Sequence, residues 1–390
     1  MVPQCGLFAM TFVALVPLLV WTYLVLARGF FWLMRERDDR GGLPGTAHGW
    51  PSVVAIVPAR DEADVVAHAV ASLLAQDYPG SFRIVLVDDQ STDGTAEEAG
   101  RAARMNGGRE RFELLRGQSR PAGWTGKVWA MHQGLKHVSE TEAPDYLLFT
   151  DADIAHAPDN IQCLVRRAEH DRLVFVSLMA KLHCDSFAER LLVPAFVFFF
   201  AMLFPFAWAN DRTRTTAAAA GGCMLVRRDA LVAAGGLEPI ADAIIDDCAL
   251  ARILNQQGPT WLGLTNRATS LRFYPAFGDI GRMVSRSAYA QLRYSPALLC
   301  GTVFGMLIVY AAPPLLALFA QGTARLEGAL AWLLMAAAYQ PILRFYRLTP
   351  AWGAAMPAIG AIYAGFTIDS AIQHWRGRGG MWKGRAQAPA

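Results

Sequence analysis

Two kinds of apolar pattern divide the chain. Residues 53–58 and 83–89 are short runs rich in β-branched side chains, which is typical of parallel strands that are buried on both faces. Between them, residues 64–76 carry apolar side chains at helical spacing. A third short apolar run at 146–148 predicts another strand. The order strand, helix, strand indicates an α/β domain with a parallel sheet of the nucleotide-binding kind.

Polar clusters follow these three predicted strands, at residues 60–62, at Asp88 and Asp89, and at Asp151 and Asp153. In open α/β sheets the ligand binds beyond the carboxyl ends of the strands, so the three clusters are expected to share one site. Side chains alternate along an extended segment, and Asp151 and Asp153 therefore project to the same side. Carboxylate oxygens are ligands for hard divalent cations, and such a cation would neutralise a diphosphate.

The second pattern consists of longer apolar blocks. Residues 6–27 are uncharged and long enough to span a bilayer, and basic residues follow the block instead of preceding it. This charge order predicts a retained anchor over 1–28, with the rest of the chain starting on the cytosolic side. The four glycines and two prolines of residues 40–51 mark a linker, and we assign it to 29–50.

Three further blocks lie at 296–320, 326–345 and 351–372. The first two are predicted to span the membrane. The third contains Pro357, three glycines and Asp369, and a basic tail follows it. Because three crossings would export that tail, the positive-inside rule favours a re-entrant or interfacial position for the last block.

Residues 191–209 form one more apolar block, which must not cross the membrane if the acidic groups on either side of it share a site. Pro194 and Pro205 are expected to break a straight helix, and the aromatic clustering suits a segment that lies in the membrane interface and receives a lipid. A buried core helix is the alternative for this block.

Composition supports membrane association and narrows the function. The chain is 54% hydrophobic and only 18% charged, with a mean hydropathy of +0.25, which is typical of a membrane protein. The net charge of +3, without a basic stripe interleaved with aromatics, gives no case for nucleic acid as a partner. Six cysteines without Cys-x-x-Cys spacing indicate neither a zinc site nor a disulfide framework, which fits a reducing compartment.

A second acidic pair, Asp246 and Asp247, begins a predicted amphipathic helix beyond the glycine pair at Gly221 and Gly222. Helix capping is the structural alternative for this pair, but two adjacent carboxylates exceed what a cap needs. Transfer of a sugar with inversion needs one carboxylate that takes the proton of the acceptor hydroxyl. We predict that Asp247 is this base.

These motifs, in this order over residues 53–294, resemble the family 2 glycosyltransferases, which have a GT-A fold. The resemblance rests on the segments 57–62, 87–95 and 126–135 and on the two acidic pairs. It implies a domain over 51–295, with the interfacial segment at 190–209, and a divalent cofactor, Mg²⁺ or Mn²⁺. The residues implied in binding the nucleotide sugar are Pro58, Arg60, Glu62, Asp88, Asp89, Lys127, Asp151 and Gly222. Asp151 and Asp153 are implied as metal ligands, and Asp247, with Asp246, as the catalytic carboxylates.

Membrane-bound members of the family often carry Gln-x-x-Arg-Trp at the acceptor site, where this chain has Gln291-Leu292-Arg293-Tyr294. Arg293 is implied to pair with the leaving phosphate, and Gln291 is its companion in substrate binding. The departure from the motif disfavours polymer synthesis, so one sugar per lipid is expected. Two of the residues implied in donor binding have structural alternatives. Lys127 is alternatively a solvated cation at a helix start, and Asp88 is alternatively a strand-end residue that hydrogen-bonds the following loop.

The details at 123–127, 204–210, 221–223 and 291–296 are similar to the hopene-associated glycosyltransferases of hopanoid gene clusters, relatives of the ceramide glucosyltransferases. This resemblance implies a nucleoside diphosphate sugar donor and a hopanoid or other polyprenoid-derived lipid acceptor. It also implies a bacterial-type inner membrane, with membrane helices over 296–375, a basic tail over 376–390 and a cytosolic catalytic domain. The alternatives are a polyprenyl-phosphate sugar transferase and an inert lipid-handling protein. A nucleotidyltransferase is disfavoured because residues 59–62 do not form a glycine-rich loop.

Overall fold

The computed structural model describes residues 4–39 and 49–380, with side chains from residue 14 onward. Parts of the predicted linker (40–48) and of the basic tail (381–390) lie outside the described residues. The eight strands are β1 Val53–Ala59, β2 Phe82–Asp88, β3 Phe112–Arg116, β4 Tyr146–Thr150, β5 Ile154–His156, β6 Phe175–Lys181, β7 Cys223–Arg227 and β8 Thr260–Ser270. They form one sheet in the order β3-β2-β1-β4-β7-β6-β8-β5.

Helices cover both faces of the sheet and continue into a separate apolar bundle. The helices that accompany the sheet are α2 Val66–Leu74, α3 Thr95–Met105, α4 Gly126–Thr141, α5 Asn160–His170, α8 Arg228–Ala233 and α9 Asp246–Leu254. The others are α1 Gln4–Leu26, α6 Phe187–Leu203, α7 Phe206–Ala209, α10 Phe277–Ser285, α11 Ala288–Gln291, α12 Pro296–Met306, α13 Ala312–Phe319, α14 Gly322–Ala338, α15 Gln340–Phe345 and α16 Met356–Trp375.

The predicted order of strand, helix and strand is confirmed by β1, α2 and β2. All seven residues of β1 are buried, and β1 pairs in parallel with both β2 and β4. Ala59 at the end of β1 lies opposite Asp88 at the end of β2. The carboxyl ends of β1, β2 and β4 therefore meet at one edge of the sheet, where the polar clusters were predicted to gather.

A glycine lets α4 lie directly on the sheet. A Cβ atom at Gly134 would stand 2.6 Å from Cγ2 of Ile56 and 3.0 Å from Cγ2 of Val87, which is closer than real side chains pack. Because α4 rests on β1 and β2 at this distance, its first turn, with Lys127, lies at the carboxyl edge of the sheet.

Three helical stretches in the described part of the chain are long and apolar enough to cross a membrane: Pro296–Phe319, Gly322–Phe345 and Pro350–Trp375. The first contains a π-helical turn at Leu307–Ala311, just before two prolines. Helix α1 packs against α14, and the indole nitrogen of Trp21 donates to the carbonyl of Val309 at 2.8 Å. The apolar segment of α1 whose side chains are described, Ala14–Leu26, is shorter than a full span.

The last of these stretches runs alongside α10 and α11. The Ser285 hydroxyl donates to the carbonyl of Phe366 at 3.0 Å, and the amide of Tyr289 donates to the Ser370 hydroxyl at 2.9 Å. Further along, the rings of Tyr289 and Trp375 are 5.8 Å apart. The interfacial position of this block stays a prediction, because its length and composition also suit a crossing.

The apolar block at 191–209 folds as α6 and α7. Pro194 does not break α6, which continues from Phe187 to Leu203. Proline inside a helix costs about 3 kcal/mol, and burial of the surrounding side chains in the largest apolar cluster offsets this cost. Helix α6 lies between the sheet domain and the bundle, in contact with α10, α15 and α16. Most of its side chains are buried, as in the core-helix alternative.

Candidate active site

Asp151 and Asp153 directly follow β4, and hydrogen bonds hold that strand end against the glycine turn before β7. The Thr150 hydroxyl donates to the carbonyl of Gly222 at 2.8 Å. Behind it, Nδ1 of His156 accepts from the Asn160 amide at 2.8 Å, so Nε2 carries the proton and donates to the Thr150 oxygen at 3.0 Å. Burial lowers the pKa of His156 to about 4, which keeps this ring neutral. The sequence provided no role for His156, and the structure gives it a supporting one.

A single ammonium group joins the two acidic motifs. Nζ of Lys127, in the first turn of α4, lies 2.8 Å from Oδ1 of Asp151 and 3.2 Å from Oδ2 of Asp246. Two carboxylates almost a hundred residues apart in sequence thus share one cation. The interpretation of Lys127 as a solvated cation is therefore wrong for this structure, because its side chain is only 18% exposed and pairs with both carboxylates.

Asp247 lies beside this cluster and accepts two backbone hydrogen bonds. The amide of Gly221 donates to Oδ2 at 2.9 Å, and the amide of Cys248 donates to Oδ1 at 2.7 Å. The second bond satisfies an amide in the first turn of α9, whose N-cap residue is Ile245 and makes no side-chain capping bond. The first reaches a different element, so Asp247 also positions the glycine turn.

Burial and neighbouring charges together set the pKa values of Asp247 and Lys127. Burial and the adjacent Asp246 raise the pKa of Asp247 to about 6, although Lys127 lowers it. Burial alone would lower the pKa of Lys127, but Asp151 and Asp246 outweigh it and hold that pKa above its usual range. Lys127 therefore stays charged, and a raised pKa such as that of Asp247 suits a general base.

Arg272, two residues after β8, is the site residue that sequence reasoning missed. Its Nε donates to Oδ2 of Asp153, and its Nη2 donates to Oε2 of Glu62. The amide of the preceding Leu271 donates to the carbonyl of Asp153 at 2.7 Å, which holds the arginine in place. In the sequence, Arg272 is marked only as an arginine just beyond a strand end. That position points to the site only when it is known that β8 pairs with β5, which directly follows Asp153.

Two connected cavities meet at this cluster. The larger, about 1010 Å³, is lined by Asp151, Asp153 and Asp247 and continues between apolar side chains of β6, α6 and α10. Those apolar residues are Met179, Leu182, Phe196, Phe200 and Met283. The smaller, about 190 Å³, is lined by Pro58, Glu62, Lys127, Asp151, Asp153 and Asp246. Arg272 and Arg286 line both cavities. Asp247 thus faces the larger cavity, whereas Asp246 faces the smaller one.

The predicted site residues separate into three groups. Pro58, Glu62, Lys127 and Gly222 line the cavities with the acidic residues. Arg60, Asp88 and Asp89 lie behind them. Nη1 of Arg60 is 3.6 Å from Oδ2 of the fully buried Asp89, and Oδ1 of Asp88 accepts from the Ser91 amide at 3.2 Å.

Gln291 and Arg293, the third group, are exposed and line neither cavity. Their roles stay predictions.

The donor set at Asp151 and Asp153 fits a hard divalent cation. Both side chains are carboxylates, and Mg²⁺ is commonly held by one or two carboxylates together with substrate phosphates and water. Each carboxylate uses one oxygen for a side-chain cation, Lys127 or Arg272, and within the described residues its second oxygen accepts no hydrogen bond. No group of three or more acidic, histidine or cysteine ligands is present in the described part of the chain, so the remaining ligands would have to come from a bound diphosphate and water.

The sheet order and the acidic residues at the strand ends define a GT-A domain, the Rossmann-like α/β class that uses nucleotide sugars. The family model described as Glycosyl transferase family 2 matches residues 54–233 of this chain. The predictions of a GT-A fold and of a glycosyltransferase domain are confirmed.

Individual similarities are more distant. An N-acetylglucosaminyltransferase of Rhizobium leguminosarum bv. viciae is 32% identical over 118 residues, which cover 30% of this chain and only 25% of that protein. The mannosyltransferase PcManGT of Pyrobaculum calidifontis, solved with GDP-Man and Mn²⁺, has 16% identity and a TM-score of 0.51 over 93% of this chain and 99% of its own. This second similarity shows a shared fold.

Proposed function

We propose that the protein is a metal-dependent inverting glycosyltransferase that moves one sugar from a nucleoside diphosphate sugar to the hydroxyl of a membrane lipid. One observation carries this proposal: Asp247, Asp151 and Asp153 line a single cavity that continues into an apolar space between α6 and α10. A sugar bound at the acidic end would meet an acceptor whose apolar body fills the other end.

The acceptor is a lipid because of what lines the larger cavity away from the carboxylates. Phe196 and Phe200 belong to α6, which packs directly on the apolar bundle, and Met179 and Met283 complete the apolar wall. Methionine and phenylalanine favour an apolar ligand of irregular shape. The resemblance to the hopene-associated enzymes narrows this lipid to a hopanoid or other polyprenoid-derived alcohol.

The smaller cavity is assigned to the donor. Pro58 and Glu62 would face the nucleotide, and Lys127 would approach the diphosphate. Mg²⁺ or Mn²⁺ held by Asp151 and Asp153 would supply neutralisation of the charge on the departing diphosphate. The Pyrobaculum mannosyltransferase, which shares the fold, was solved with GDP-Man and Mn²⁺, and this supports both the donor class and the metal.

Asp247 performs the proton transfer. Its carboxylate takes the proton of the lipid hydroxyl as that oxygen forms a bond to the anomeric carbon, and the bond from this carbon to the diphosphate oxygen breaks with its electron pair. Attack from the face opposite the leaving group inverts the anomeric centre. Asp246 stays paired with Lys127 on the donor side.

The proposal is tested with the purified full-length protein, total membrane lipid and a panel of radiolabelled sugar nucleotides. We expect one lipid to gain a single sugar, identified by mass spectrometry, with an inverted anomeric configuration by NMR. A retained configuration would contradict the mechanism, and the absence of labelled lipid with every donor would contradict the transferase function.

The pH dependence of transfer should report Asp247. Because a general base works in its deprotonated form, kcat/KM is expected to fall about tenfold per unit as the pH drops below about 6. Lys127, whose pKa is held above its usual range by the neighbouring carboxylates, stays charged throughout this range. A pH profile of kcat/KM measures this, and a flat profile between pH 7 and pH 5 would contradict the assignment.

Arg286 is the arginine that we expect to contact the departing diphosphate, because it lines both cavities and Arg293 lines neither. Arginine suits this role through its two-pronged pairing with phosphate oxygens. Arg286→Gln should lower kcat at least about 30-fold, roughly 2 kcal/mol of transition-state binding, while Arg293→Gln, the matched control, changes it less than about threefold. The reverse ranking in a steady-state assay would restore the role that the family motif implies for Arg293.

A polyprenyl phosphate is the second candidate acceptor. Arg272, Arg282 and Arg286 line the larger cavity and could pair with an acceptor phosphate. The product would then be a glycosyl phosphate, which mild acid cleaves, whereas a glycoside of a lipid alcohol survives. We favour the alcohol because Arg272 and Arg282 already pair with carboxylates.

The catalytic domain is placed on the cytosolic side of a bacterial-type inner membrane, because Arg28, Arg35 and Arg37 follow α1. Protease digestion of inside-out vesicles is expected to cleave the domain. Protection in those vesicles would contradict this orientation.

A further inference from the structure

Arg272 joins two carboxylates that come from opposite parts of the site. Asp153 belongs to the pair after β4 and Glu62 to the loop after β1, where the Glu62 amide donates to the Thr95 hydroxyl at 2.7 Å. Both carboxylates line the smaller cavity, and the arginine that connects them lines both cavities. The guanidinium therefore stands between the residue assigned to the metal and the residue assigned to the nucleotide.

A divalent cation and this guanidinium would compete for one carboxylate. Within the site, Lys127 pairs with Asp151 and Asp246, and Arg272 pairs with Asp153 and Glu62, so each cation offsets half of the charge of its two carboxylates. A doubly charged ion at Asp153 would face the positive charge of Arg272 in a half-buried position where like charges repel strongly. Removal of that arginine would take one positive charge away from both Asp153 and Glu62.

We propose that Arg272 is an internal counter-cation of Asp153, which a divalent cation must replace there, and that its displacement ends the pairing of this arginine with Glu62 and makes the Glu62 carboxylate more available to the nucleotide. This inference rests on the metal role in the proposed function. It makes Arg272 a positioning residue that sets the affinity for metal and couples metal binding to donor binding. Its effect appears in binding measurements that need no turnover.

The test titrates Mn²⁺ into the full-length protein in detergent, without nucleotide, and follows free Mn²⁺ by electron paramagnetic resonance. Arg272→Gln is expected to bind Mn²⁺ about tenfold more tightly than the unaltered protein, a typical coupling factor. Arg272→Lys should fall between the two, because a lysine keeps the charge but lacks the separate Nε and Nη2 donors that reach the two carboxylates, and it serves if the glutamine variant does not fold. An affinity in both variants equal to or weaker than that of the unaltered protein would overturn the proposal.

Arg267→Gln is the matched control. Arg267 lies in β8, five residues before Arg272, and also joins two acidic residues, Asp159 at 2.9 Å and Asp38 at 3.5 Å, but it lines neither cavity. Its Mn²⁺ affinity should not change, and an increase equal to that of Arg272→Gln would overturn the site-specific effect.

The coupling between metal binding and nucleotide binding is measured by repeating the Mn²⁺ titration in the presence of UDP or GDP. The increase in Mn²⁺ affinity caused by the nucleotide is expected to be smaller in Arg272→Gln than in the unaltered protein, and an equal increase would contradict the role of Glu62. No Mn²⁺ binding by any variant, even with nucleotide, would overturn this proposal together with the metal site beneath it. Unchanged affinity in Arg272→Gln overturns the counter-cation role alone.

Discussion

Asp247→Asn is expected to lower the kcat of sugar transfer about 1,000-fold and to leave binding of the nucleotide nearly unchanged. The amide cannot take a proton from the acceptor hydroxyl, and general bases commonly contribute factors of about 100 to 10,000. Nucleotide binding persists because Asp247 faces the larger cavity and does not line the donor cavity. Steady-state rates and calorimetric titration of the nucleotide with Mn²⁺ measure the two quantities.

The variant should still fold. Asparagine keeps one of the two hydrogen bonds that Asp247 accepts from the amides of Gly221 and Cys248. Loss of the other costs about 1–3 kcal/mol, which is small beside the 5–15 kcal/mol that typically stabilises a domain. Asp242→Asn, an exposed change four residues before α9, is the control and should leave kcat unchanged. Near-normal turnover by a folded Asp247→Asn variant would remove Asp247 from the mechanism.

Asp153→Ala is expected to weaken metal-dependent binding of the nucleotide about 100-fold, which corresponds to about 2.8 kcal/mol. The change removes the Asp153 carboxylate from the predicted metal site, so the metal that would bridge to the diphosphate is held less tightly. It also removes the partner of the Arg272 guanidinium. Calorimetric titrations with Mg²⁺ and then with EDTA measure the effect. In EDTA the unaltered protein should fall to the affinity of the variant.

Asp159→Asn is the control for this change, because Asp159 is half exposed and pairs with Arg267 outside both cavities. Its nucleotide affinity should match that of the unaltered protein with and without EDTA. If Asp153→Ala bound the nucleotide as tightly as the unaltered protein in the presence of Mg²⁺, the metal role of the pair would be wrong.

Much of the fold could be predicted from the sequence, because burial imposes a local pattern. Strand β1 is buried along its whole length, and a strand of that kind must consist of apolar and mostly branched residues. The predicted helix at 64–76 is longer than α2, since its ends at Asp64 and Gln76 lack the packed apolar face that stabilises Val66–Leu74. Pro194 shows the limit of such rules, because tertiary burial keeps α6 helical through it.

The candidate site could be predicted only in part. Acidic residues at strand ends and at a helix start are visible as local motifs, and the structure brings Asp151, Asp246 and Asp247 together as expected. The arginines of the site belong to no comparable local sequence motif. Arg272 follows an ordinary strand, and Arg286 directly follows an amphipathic helix, so neither differs in sequence from a surface cation. The motif at 291–294 directed attention to Arg293, which the fold leaves exposed.

By itself, the sequence determined the α/β class, the apolar blocks and the acidic residues available for chemistry, because these depend on periodicity and composition within short windows. Only the tertiary structure decided which cations neutralise those acids, which carboxylate faces the apolar cavity, and that α6 is a buried link to the bundle. The physical reason is that charge pairing and burial depend on contacts between segments far apart in sequence, such as Glu62 with Arg272, which are 210 residues apart, and no local pattern records such contacts.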